Sequence, residues 1–502
     1  MSAHGLFARL RERFPTADTP FLETPEGARI TYGDMLAYTG RLATILTELG
    51  VRPGDRVAVQ AEKCPELLLL YLACARAGAV YLPLNTAYTD AEIAYFLTDA
   101  EPSLVVSSPE RREGIAALAE PVQARVATLA PDGGGTLMAA AEAASPDFND
   151  VARDDDDLAA ILYTSGTTGR SKGAMLTGRN LFSNAAVLTE YWRFTATDRL
   201  LHALPIFHTH GLFVATNVVL WAGASMLFLP RFDAGEILRL LPKATAMMGV
   251  PTFYTRLLAR PEFDRERVRH MRLFVSGSAP LSAETHREFQ DRTGHAILER
   301  YGLTETNMNT SNPYDGERRP GTVGFPLPGV DLRIVDRDTG CPLPDGEVGA
   351  IEVKGDNVCR GYWRNEEKTK ESFRDDGFFI TGDLGRIDAD GYVAIVGRDK
   401  DLIISGGYNV YPAEVEAELD ALPGVAESAV IGLPDPDLGE RVVAVVAAKD
   451  DGPGDDAAVR AVLAGRLAGY KIPKRLFVVD EIPRNAMGKV QKAALRERFR
   501  DV

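Results

Sequence analysis

The run Tyr163-Thr164-Ser165-Gly166-Thr167-Thr168-Gly169-Arg170-Ser171-Lys172-Gly173 decides how this chain is interpreted. It follows the apolar stretch 158–164 (LAAILYT), which has the composition of a buried strand. Its backbone N–H groups and hydroxyls suit phosphate oxygens, with Lys172 as a point charge. The spacing does not match the P-loop of kinases and GTPases, because Ser171 stands where G-x-x-x-x-G-K-[ST] requires glycine. The run therefore predicts a phosphate-binding loop of a different kind.

The length and charge of the chain limit its class. A single hydrophobic core stops growing near about 250–300 residues, so 502 residues predict more than one domain. The composition, 45% apolar and 25% charged, is typical of a soluble globular protein. A net charge of −15 argues against non-specific binding to nucleic acid or an anionic membrane. We expect small-molecule partners, no nucleic acid, no membrane, and a monomer or dimer.

The cysteines and the apolar runs indicate a cytoplasmic protein. Cys64, Cys74, Cys341 and Cys359 show neither C-x-x-C pairing nor metal-finger spacing, which predicts reduced thiols. The first fourteen residues carry arginine and glutamate where a signal peptide needs an unbroken apolar stretch. The longest apolar run, 67–75, is about half of the ~20 residues that a bilayer span requires.

Patterns along the chain predict an α/β protein of multidomain α+β type. Strand-like and helix-like stretches alternate in the first half, which predicts parallel sheets covered by helices. Closely spaced Gly- and Pro-rich strands from about 320 to 397 predict an antiparallel β-rich subdomain. We expect a large N-terminal domain (1–397) of two layered α/β subdomains plus this β-rich part, a hinge (398–400), and a small mobile C-terminal α+β domain (401–502) with helices at 411–422 and 457–467. The acidic stretch 147–157 is expected to be a solvated loop.

Five further segments follow the loop in a specific order: 277–281 (GSAPL), 301–306 (YGLTET), 381–383 (TGD), 397–401 (GRDKD) and 483–489 (PRNAMGK). Together with the loop they resemble the adenylate-forming superfamily of acyl-CoA synthetases, luciferases and peptide-synthetase adenylation domains. The resemblance covers essentially the whole chain. One departure is Ser171, which stands where many relatives have proline.

The resemblance implies a ligase that uses ATP, Mg²⁺ and coenzyme A. Asp383 is expected to bind the ribose hydroxyls, and Glu305 with Thr164 to bind Mg²⁺. The catalytic residues implied are Thr164, Lys172, His208, Glu305 and Lys489. The cofactor-binding residues implied are Thr164, Ser165, Gly166, Thr167, Thr168, Gly169, Lys172, Gly277, Ser278, Ala279, Pro280, Glu299, Tyr301, Gly302, Thr304, Asp383, Arg398 and Lys489.

The resemblance also implies two half-reactions. The substrate carboxylate first attacks the α-phosphorus of ATP, and phosphoryl transfer asks the protein mainly for positioning and charge stabilisation. The small domain is then expected to rotate about Lys400, which withdraws Lys489 and brings up Ser405-Gly406-Gly407-Tyr408 for attack by the coenzyme A thiol. Glycines in that loop permit close approach of a pantetheine arm.

Arg300 indicates the acid that is activated. It directly precedes Tyr301, and its planar fork suits a second carboxylate better than an aliphatic chain. Leaving such a buried charge unpaired costs about 2–5 kcal/mol. A framework ion pair is the alternative, although neighbouring Glu299 would point to the opposite face of a strand. We expect His208 and Ser278 to help bind the substrate carboxylates. Metal binding by His208 and His210 is not expected, because no third ligand stands nearby.

The segments 208–211 (HTHG), 299–302 (ERYG) and 304–311 (TETNMNTS) are similar to malonyl-CoA synthetases of the MatB type. This resemblance implies malonate as the substrate. Methylmalonate is expected to react more slowly, since one methyl group is worth about 1–3 kcal/mol of discrimination. The alternatives are a CoA ligase for another short acid, a stand-alone adenylation domain, and an inactive adenylate-binding scaffold. Relatives also suggest an acetyltransferase and a deacetylase that act on Lys489, because acetylation removes its charge.

Overall fold

The computed structural model describes residues 4–164, 171–449, 452–485 and 488–500. The strands are, in chain order, β1 (Pro20–Glu23), β2 (Arg29–Thr31), β3 (Arg56–Gln60), β4 (Val80–Pro83), β5 (Leu104–Ser107), β6 (Arg125–Thr128), β7 (Leu158–Thr164), β8 (Lys172–Thr177), β9 (Arg199–His202), β10 (Ser225–Phe228), β11 (Ala246–Gly249), β12 (Leu273–Ser276), β13 (Leu298–Leu303), β14 (Asn307–Ser311), β15 (Phe325–Pro326), β16 (Val330–Val335), β17 (Gly349–Gly355), β18 (Phe379–Ile387), β19 (Val393–Arg398), β20 (Ile403–Ser405), β21 (Tyr408–Val410), β22 (Val425–Asp435), β23 (Gly439–Ala448) and β24 (Arg475–Val479).

The α-helices are α1 (Leu6–Arg11), α2 (Tyr32–Glu48), α3 (Pro65–Ala77), α4 (Asp90–Ala100), α5 (Arg112–Ala119), α6 (Thr136–Ala143), α7 (Gly178–Tyr191), α8 (Thr216–Ala222), α9 (Ala234–Leu240), α10 (Pro251–Leu258), α11 (Ala283–Thr293), α12 (Glu366–Ser372), α13 (Pro412–Asp420), α14 (Asp456–Ala464) and α15 (Lys492–Arg498). Short 3₁₀ turns lie at Pro109–Arg111, Glu120–Val122, Leu241–Lys243 and Asp399–Asp401, and a π-helical turn at His210–Ala215.

Local sequence signals determine where several helices begin and end. Helices α2, α4 and α7 each follow a threonine whose hydroxyl accepts the backbone N–H three residues later, and the side chain at that position returns the bond. This capping box satisfies two backbone donors that have no partner inside the helix. Helix α3 starts with Pro65 and ends at Gly78, which adopts the left-handed conformation (φ +70°) that releases the chain into β4.

Two large sheets form the body of the chain. One has the order β6-β5-β3-β4-β7-β8 and is parallel except for β8. The other has the order β15-β14-β13-β12-β11-β9-β10-β1-β2 and is parallel from β13 to β1. Strands buried on both faces read as apolar runs, as in β4, β5 and β12. The predicted parallel sheets covered by helices are confirmed.

The β-rich part is the antiparallel sheet β16-β17-β18-β19. It begins at Val330 rather than near 320, because β15 pairs with β14 and so belongs to the long sheet. The C-terminal part has its own sheet, in which β20, β21, β22 and β23 are antiparallel and β24 is parallel to β23. Helix α13 begins one residue later and ends two residues earlier than predicted. Helix α14 begins one residue earlier and ends three residues earlier than predicted. Strand β21, which forms a hairpin with β20, was not predicted.

The acidic stretch 147–157 forms the predicted loop, but two of its residues are not merely solvated. Asp150 accepts hydrogen bonds from Arg76 at 2.6 Å and from Arg11 at 2.8 Å. Asp155 is buried and binds Arg9 through two bonds of 3.3 and 2.6 Å. The loop therefore attaches helices α1 and α3 to each other, which a run of like charges does not reveal.

The structure also bears on the thiols and on membrane insertion. None of the four cysteines forms a disulfide: Cys64, Cys74 and Cys359 are buried thiols, and Cys341 is an exposed thiol. Among the residues that the structure describes, no helix combines the length and apolarity needed to cross a bilayer.

Arg272 and Asp198 join three parallel strands at their amino ends. Asp198 precedes β9, Arg272 precedes β12, and the two side chains form a bidentate pair with both N–O distances at 2.7 Å. The hydroxyl of Thr245, which precedes β11, donates to the same carboxylate at 2.7 Å. Burial opposes ionisation of Asp198, but the bonds from Arg272 and Thr245 outweigh it and lower its pKa.

Replacing Arg272 with methionine is expected to reduce the free energy of unfolding of the large domain by about 3–5 kcal/mol, because the Asp198 carboxylate would stay buried without its cation. Urea denaturation at neutral pH measures this loss. The contribution of the pair is present above the unfolded-state pKa of the carboxyl and is lost as pH falls through the lowered folded-state value. The control is Arg239→Met, which breaks the exposed pair with Glu236. Equal destabilisation by both variants contradicts the prediction.

Candidate active site

Arg300 lies at the carboxyl end of the long parallel sheet, where ligands bind in open α/β sheets. Strands β12 and β13 are parallel, with Ser276 opposite Glu299, so Arg300 comes next to the segment that starts at Gly277. A Cβ atom at Gly277 would lie 2.3 Å from the Arg300 Cζ atom. Glycine is therefore required there so that the guanidinium can lie against the backbone.

The Arg300 side chain is a buried cation with no acidic partner among the described residues. It is 3% exposed, and its Nε and Nη2 atoms have no hydrogen-bond acceptor in the part of the chain that the structure describes. Burial lowers the pKa of the guanidinium to about 9, which still leaves it protonated at neutral pH. Burial also raises the pKa of Glu299 to about 8, against backbone hydrogen bonds from Leu281 and Gly321, and no ion pair joins it to Arg300. The described residues include no framework ion pair of the kind that was the alternative for Arg300.

His208 and His210 complete this side of the site as neutral rings. The His210 N–H donates to His208 Nδ1 at 3.2 Å, which assigns the His208 proton to Nε2 and leaves that group as a donor. Burial, then the charges of Lys489 and Arg300, lower the pKa of His208 to about 3. Ser278 Oγ lies 3.3 Å from His210 Nδ1. The structure thus brings Arg300, His208, Ser278 and Lys489 together, and within the described ranges no three metal-ligating side chains cluster.

Two buried residues that the sequence did not reveal support this wall. Lys63 Nζ contacts the His202 ring at Nδ1 (3.1 Å) and the His202 carbonyl oxygen (2.9 Å). His202 Nε2 in turn donates to the Gly211 carbonyl at 2.8 Å, at the start of the π-helical turn that begins with His210. A Cβ atom at Gly211 would lie 2.1 Å from the Pro205 carbonyl oxygen, so glycine is required. A lone lysine after an apolar strand carries no local signal for this role.

The phosphate side of the site is built on the β7–β8 hairpin, in which Thr164 pairs with Lys172. The predicted residues Ser165, Gly166, Thr167, Thr168 and Gly169 lie outside the described residues. Thr164 Oγ1 donates to Glu305 Oε1 at 3.0 Å, and the Tyr362 hydroxyl donates to the same oxygen at 3.2 Å. Lys172 Nζ lies 5.5 Å from the centre of the Tyr362 ring. Burial, then the charge of Lys368, lower the pKa of Lys172.

These oxygens fit magnesium. Mg²⁺ is commonly held by one or two carboxylates together with substrate phosphates, so Glu305 alone is a sufficient protein carboxylate and the Thr164 hydroxyl is a suitable neighbour. Glu305 and Thr304 lie in the turn between β13 and β14, and Gly302 precedes it. A Cβ atom at Gly302 would lie 1.8 Å from the Asn307 carbonyl oxygen, so this turn needs glycine. Tyr362, which orients Glu305, was not predicted.

Asp383 occupies the centre of the proposed ribose site. The Tyr301 hydroxyl donates to Asp383 Oδ2 at 2.5 Å, and Arg398 Nε lies 2.6 Å from Oδ1. Asp383 and Arg398 are opposite each other in β18 and β19, so the hairpin sets this pair. Burial raises the pKa of Asp383 overall, although Arg398 and Tyr301 oppose the shift. In the adenine segment, Ser278 has a left-handed backbone (φ +72°), Ala279 is half-buried and Pro280 is exposed.

Lys489 reaches this site from the small domain, and its charge acts on His208 and Asp383. Desolvation by the surrounding protein atoms, then the charge of Arg398, lower its pKa, against the attraction of Asp383 and Glu305, although the residue as a whole keeps exposed surface. A Cβ atom at Gly488 would lie 3.3 Å from Thr252 Oγ1 at the start of α10, so the lysine loop contacts the large domain.

The segment predicted for the coenzyme A step, 405–408, lies on a different part of the small domain from the Lys489 loop. Ser405 is buried, and the ring of exposed Tyr408 stacks on Tyr470 of the same domain with 4.8 Å between ring centres. Gly406 and Gly407 both have positive φ. The predicted hinge residue Lys400 is exposed in the 3₁₀ turn, where Arg337 binds Asp399 at 2.6 Å.

Comparison with known proteins identifies the family. The AMP-binding enzyme profile matches residues 8–363, and the AMP-binding enzyme C-terminal domain profile matches residues 414–489. The chain is 60% identical to the crystal structure of ATP-bound MatB from Rhodopseudomonas palustris, with 99% of both chains covered and a TM-score of 0.98. It is 38% identical to feruloyl-CoA synthase of Amycolatopsis sp (94% of each chain), and 37% identical to malonate–CoA ligase of Arabidopsis thaliana (89% of this chain, 78% of that one). The resemblance to adenylate-forming enzymes is confirmed, as is the fold class, and the chain belongs to the AMP-binding enzyme family.

Proposed function

We propose that the chain is an ATP-dependent malonate–CoA ligase that releases AMP and pyrophosphate. The observation that carries the choice of acid is the buried Arg300 guanidinium, which lies beside two neutral histidines and has no carboxylate partner among the described residues. A guanidinium binds a carboxylate through two parallel hydrogen bonds. Malonate supplies one carboxylate for this contact and a second for the reaction. The names of MatB and the plant malonate–CoA ligase agree with this choice.

In the first half-reaction, one malonate carboxylate oxygen attacks the α-phosphorus of ATP. The bond from that phosphorus to the bridging oxygen breaks, and pyrophosphate leaves with the electron pair. Lys489 would stabilise the charge on the α-phosphate, and Lys172 would stabilise the charge on the leaving phosphates. Glu305 and Thr164 would hold Mg²⁺, which would further neutralise phosphate charge when bound. Losing one such preorganised charge costs about 10²–10³-fold in rate.

In the second half-reaction, the coenzyme A sulfur attacks the acyl carbon, the acyl–phosphate oxygen bond breaks, and AMP leaves while the thiol proton passes to solvent. Rotation of the small domain (401–502) on the large domain (1–397) about the hinge 398–400 would exchange Lys489 for the Ser405–Tyr408 loop. The exposure of Lys400 and the separate core of the small domain support this rotation.

The Arg300 side of the site also predicts selectivity among acids. A monocarboxylate would leave the guanidinium unpaired, at a cost of about 2–5 kcal/mol. The His208 Nε2–H group and the Ser278 hydroxyl are further donors for either carboxylate of malonate. Methylmalonate keeps both carboxylates and adds one methyl group, so it is expected to be a slower second substrate.

Replacing Arg300 with methionine is expected to lower kcat/KM for malonate about 30-fold or more, because at least about 2 kcal/mol of carboxylate binding is lost. AMP release with ATP, Mg²⁺ and coenzyme A measures this across malonate, methylmalonate, succinate, acetate and butyrate. The kcat/KM of the variant for acetate and butyrate should fall far less than that for malonate, or should rise. Equal loss with every acid, or a wild type that prefers butyrate, would leave only the acyl-CoA ligase class standing.

Replacing Gly277 with alanine is expected to displace the Arg300 guanidinium, since the new methyl carbon would lie 2.3 Å from Cζ. The KM for malonate should rise by more than the KM for ATP. Gly114→Ala is the matched control, because a Cβ at that position of α5 meets nothing within 4 Å. A Gly277→Ala variant with unchanged malonate KM contradicts the proposed position of the guanidinium.

Acetylation of Lys489 is expected to abolish adenylation, because the charge beside Asp383 and Glu305 disappears. Thioester formation from preformed malonyl-AMP should remain largely intact. Site-specific incorporation of acetyl-lysine at position 489, followed by assays of the two half-reactions, tests this. Equal loss of both half-reactions excludes a specific switch and with it the proposed acetyltransferase and deacetylase partners.

A further inference from the structure

Backbone hydrogen bonds hold together the two ends of the loop that carries Lys489, but Gly488, the residue before the lysine, has no side chain that could pack and fix its position. Arg484 and Val490 form an antiparallel bridge, and the Gln491 N–H donates to the Pro483 carbonyl at 2.8 Å. The Lys489 N–H donates to Asn485 Oδ1 at 3.0 Å. Gly488 has a left-handed backbone (φ +74°) and no side chain to restrict it. Residues 486–487 lie outside the described residues.

Arg484 connects this loop to the sheet of the small domain. Its Nη1 donates to the Gly488 carbonyl oxygen at 2.5 Å, and that carbonyl belongs to the peptide that leads into Lys489. Its Nη2 donates to the carboxylate of Glu427 on β22. About a quarter of each of the two side chains is exposed, so both ends of the arginine are held without deep burial.

The other side of the loop is held by a second ion pair. Lys492 Nζ lies 2.6 Å from Glu416 Oε1, and the same oxygen accepts the Val430 N–H of β22 at 2.7 Å. Asp420 is a third acid in this cluster, and burial, against hydrogen bonds from Ser428, raises its pKa to about 7, with the charges of Glu416 and Glu427 adding to the rise. Arg484 and Lys492 each have one carboxylate partner in this cluster, Glu427 and Glu416 respectively.

We propose that Arg484, held by Glu427, is a positioning residue for the adenylation half-reaction, because it fixes the Gly488 carbonyl and thereby the direction in which Lys489 leaves the loop. This inference rests on the proposed function, since it acts through Lys489. The thioester half-reaction does not need this geometry, because the small domain then presents the Ser405–Tyr408 loop. Arg484 therefore matters for one half-reaction and not for the other.

The test separates the two half-reactions of the full-length enzyme. Pyrophosphate release without coenzyme A, using the acid that the wild type adenylates fastest, measures the first, and thioester formation from the preformed acyl-adenylate measures the second. Arg484→Met should slow the first about 10²-fold, the effect of misplacing a catalytic group by about 1 Å. The second should stay within about threefold of the wild type. Arg466→Met, which breaks the Arg466–Glu418 pair of the same domain (3.2 Å), should change neither.

A double variant distinguishes positioning from simple stabilisation of the domain. Arg484→Glu combined with Glu427→Arg re-forms the ion pair but leaves the Gly488 carbonyl without its donor. Its melting temperature should recover toward the wild-type value while adenylation stays slow. Recovery of adenylation, or parallel loss of both half-reactions in Arg484→Met, overturns the inference.

Lys489→Ala shows which proposal has failed. If this variant loses adenylation while Arg484→Met keeps it, the positioning role of Arg484 is wrong and the role of Lys489 stands. If Lys489→Ala keeps adenylation, both roles are wrong.

Discussion

A buried positive charge with no acidic partner among the described residues is the constraint on which the acyl side of this molecule depends. Arg300 lies against the backbone at Gly277, and His208 and His210 beside it are neutral because burial, then nearby cations that include the guanidinium, lower their pKa. In these low-dielectric surroundings an unpaired guanidinium costs free energy, and pairing with an anion removes that cost. The charge therefore favours a ligand that carries a second anionic group. A dicarboxylate can supply the anion that Arg300 lacks among the described residues.

The nucleotide side differs, because its two acids, Glu305 and Asp383, already have protein partners. Asp383 is bound by Tyr301 and Arg398, and Glu305 accepts from Thr164 and Tyr362. Such preorganised groups need little rearrangement when phosphate charge develops. Lys489 is different, because it belongs to a separate domain and its position depends on a loop that the small domain must hold. Under the proposed function, the Arg300 side of the site would select the acid and the nucleotide side would perform the phosphoryl chemistry.

Local patterns predicted much of the fold, because helix caps, left-handed glycines and strand composition act over a few residues. Helix α3 with Gly78, the antiparallel sheet β16–β19 and the separate C-terminal domain follow from such signals. Long-range partners were missed. The acidic loop 147–157 was expected to be solvated, yet Asp155 binds Arg9, which lies 146 residues away. The start of the β-rich part also depends on strand pairing, because β15 joins the preceding strand β14 in the long sheet.

For the site, the sequence by itself determined which chemical groups are present and their order: the loop before Lys172, the acids Glu305 and Asp383, the lysine near the C-terminus, and an arginine before Tyr301. Only the tertiary structure decided which of these groups meet. It left Arg300 without a partner among the described residues, brought the Tyr362 hydroxyl to Glu305, and placed Lys63 and His202 behind the histidine segment. The physical reason is that charge pairing and burial are set by distances between strands and domains, which spacing along the chain does not encode.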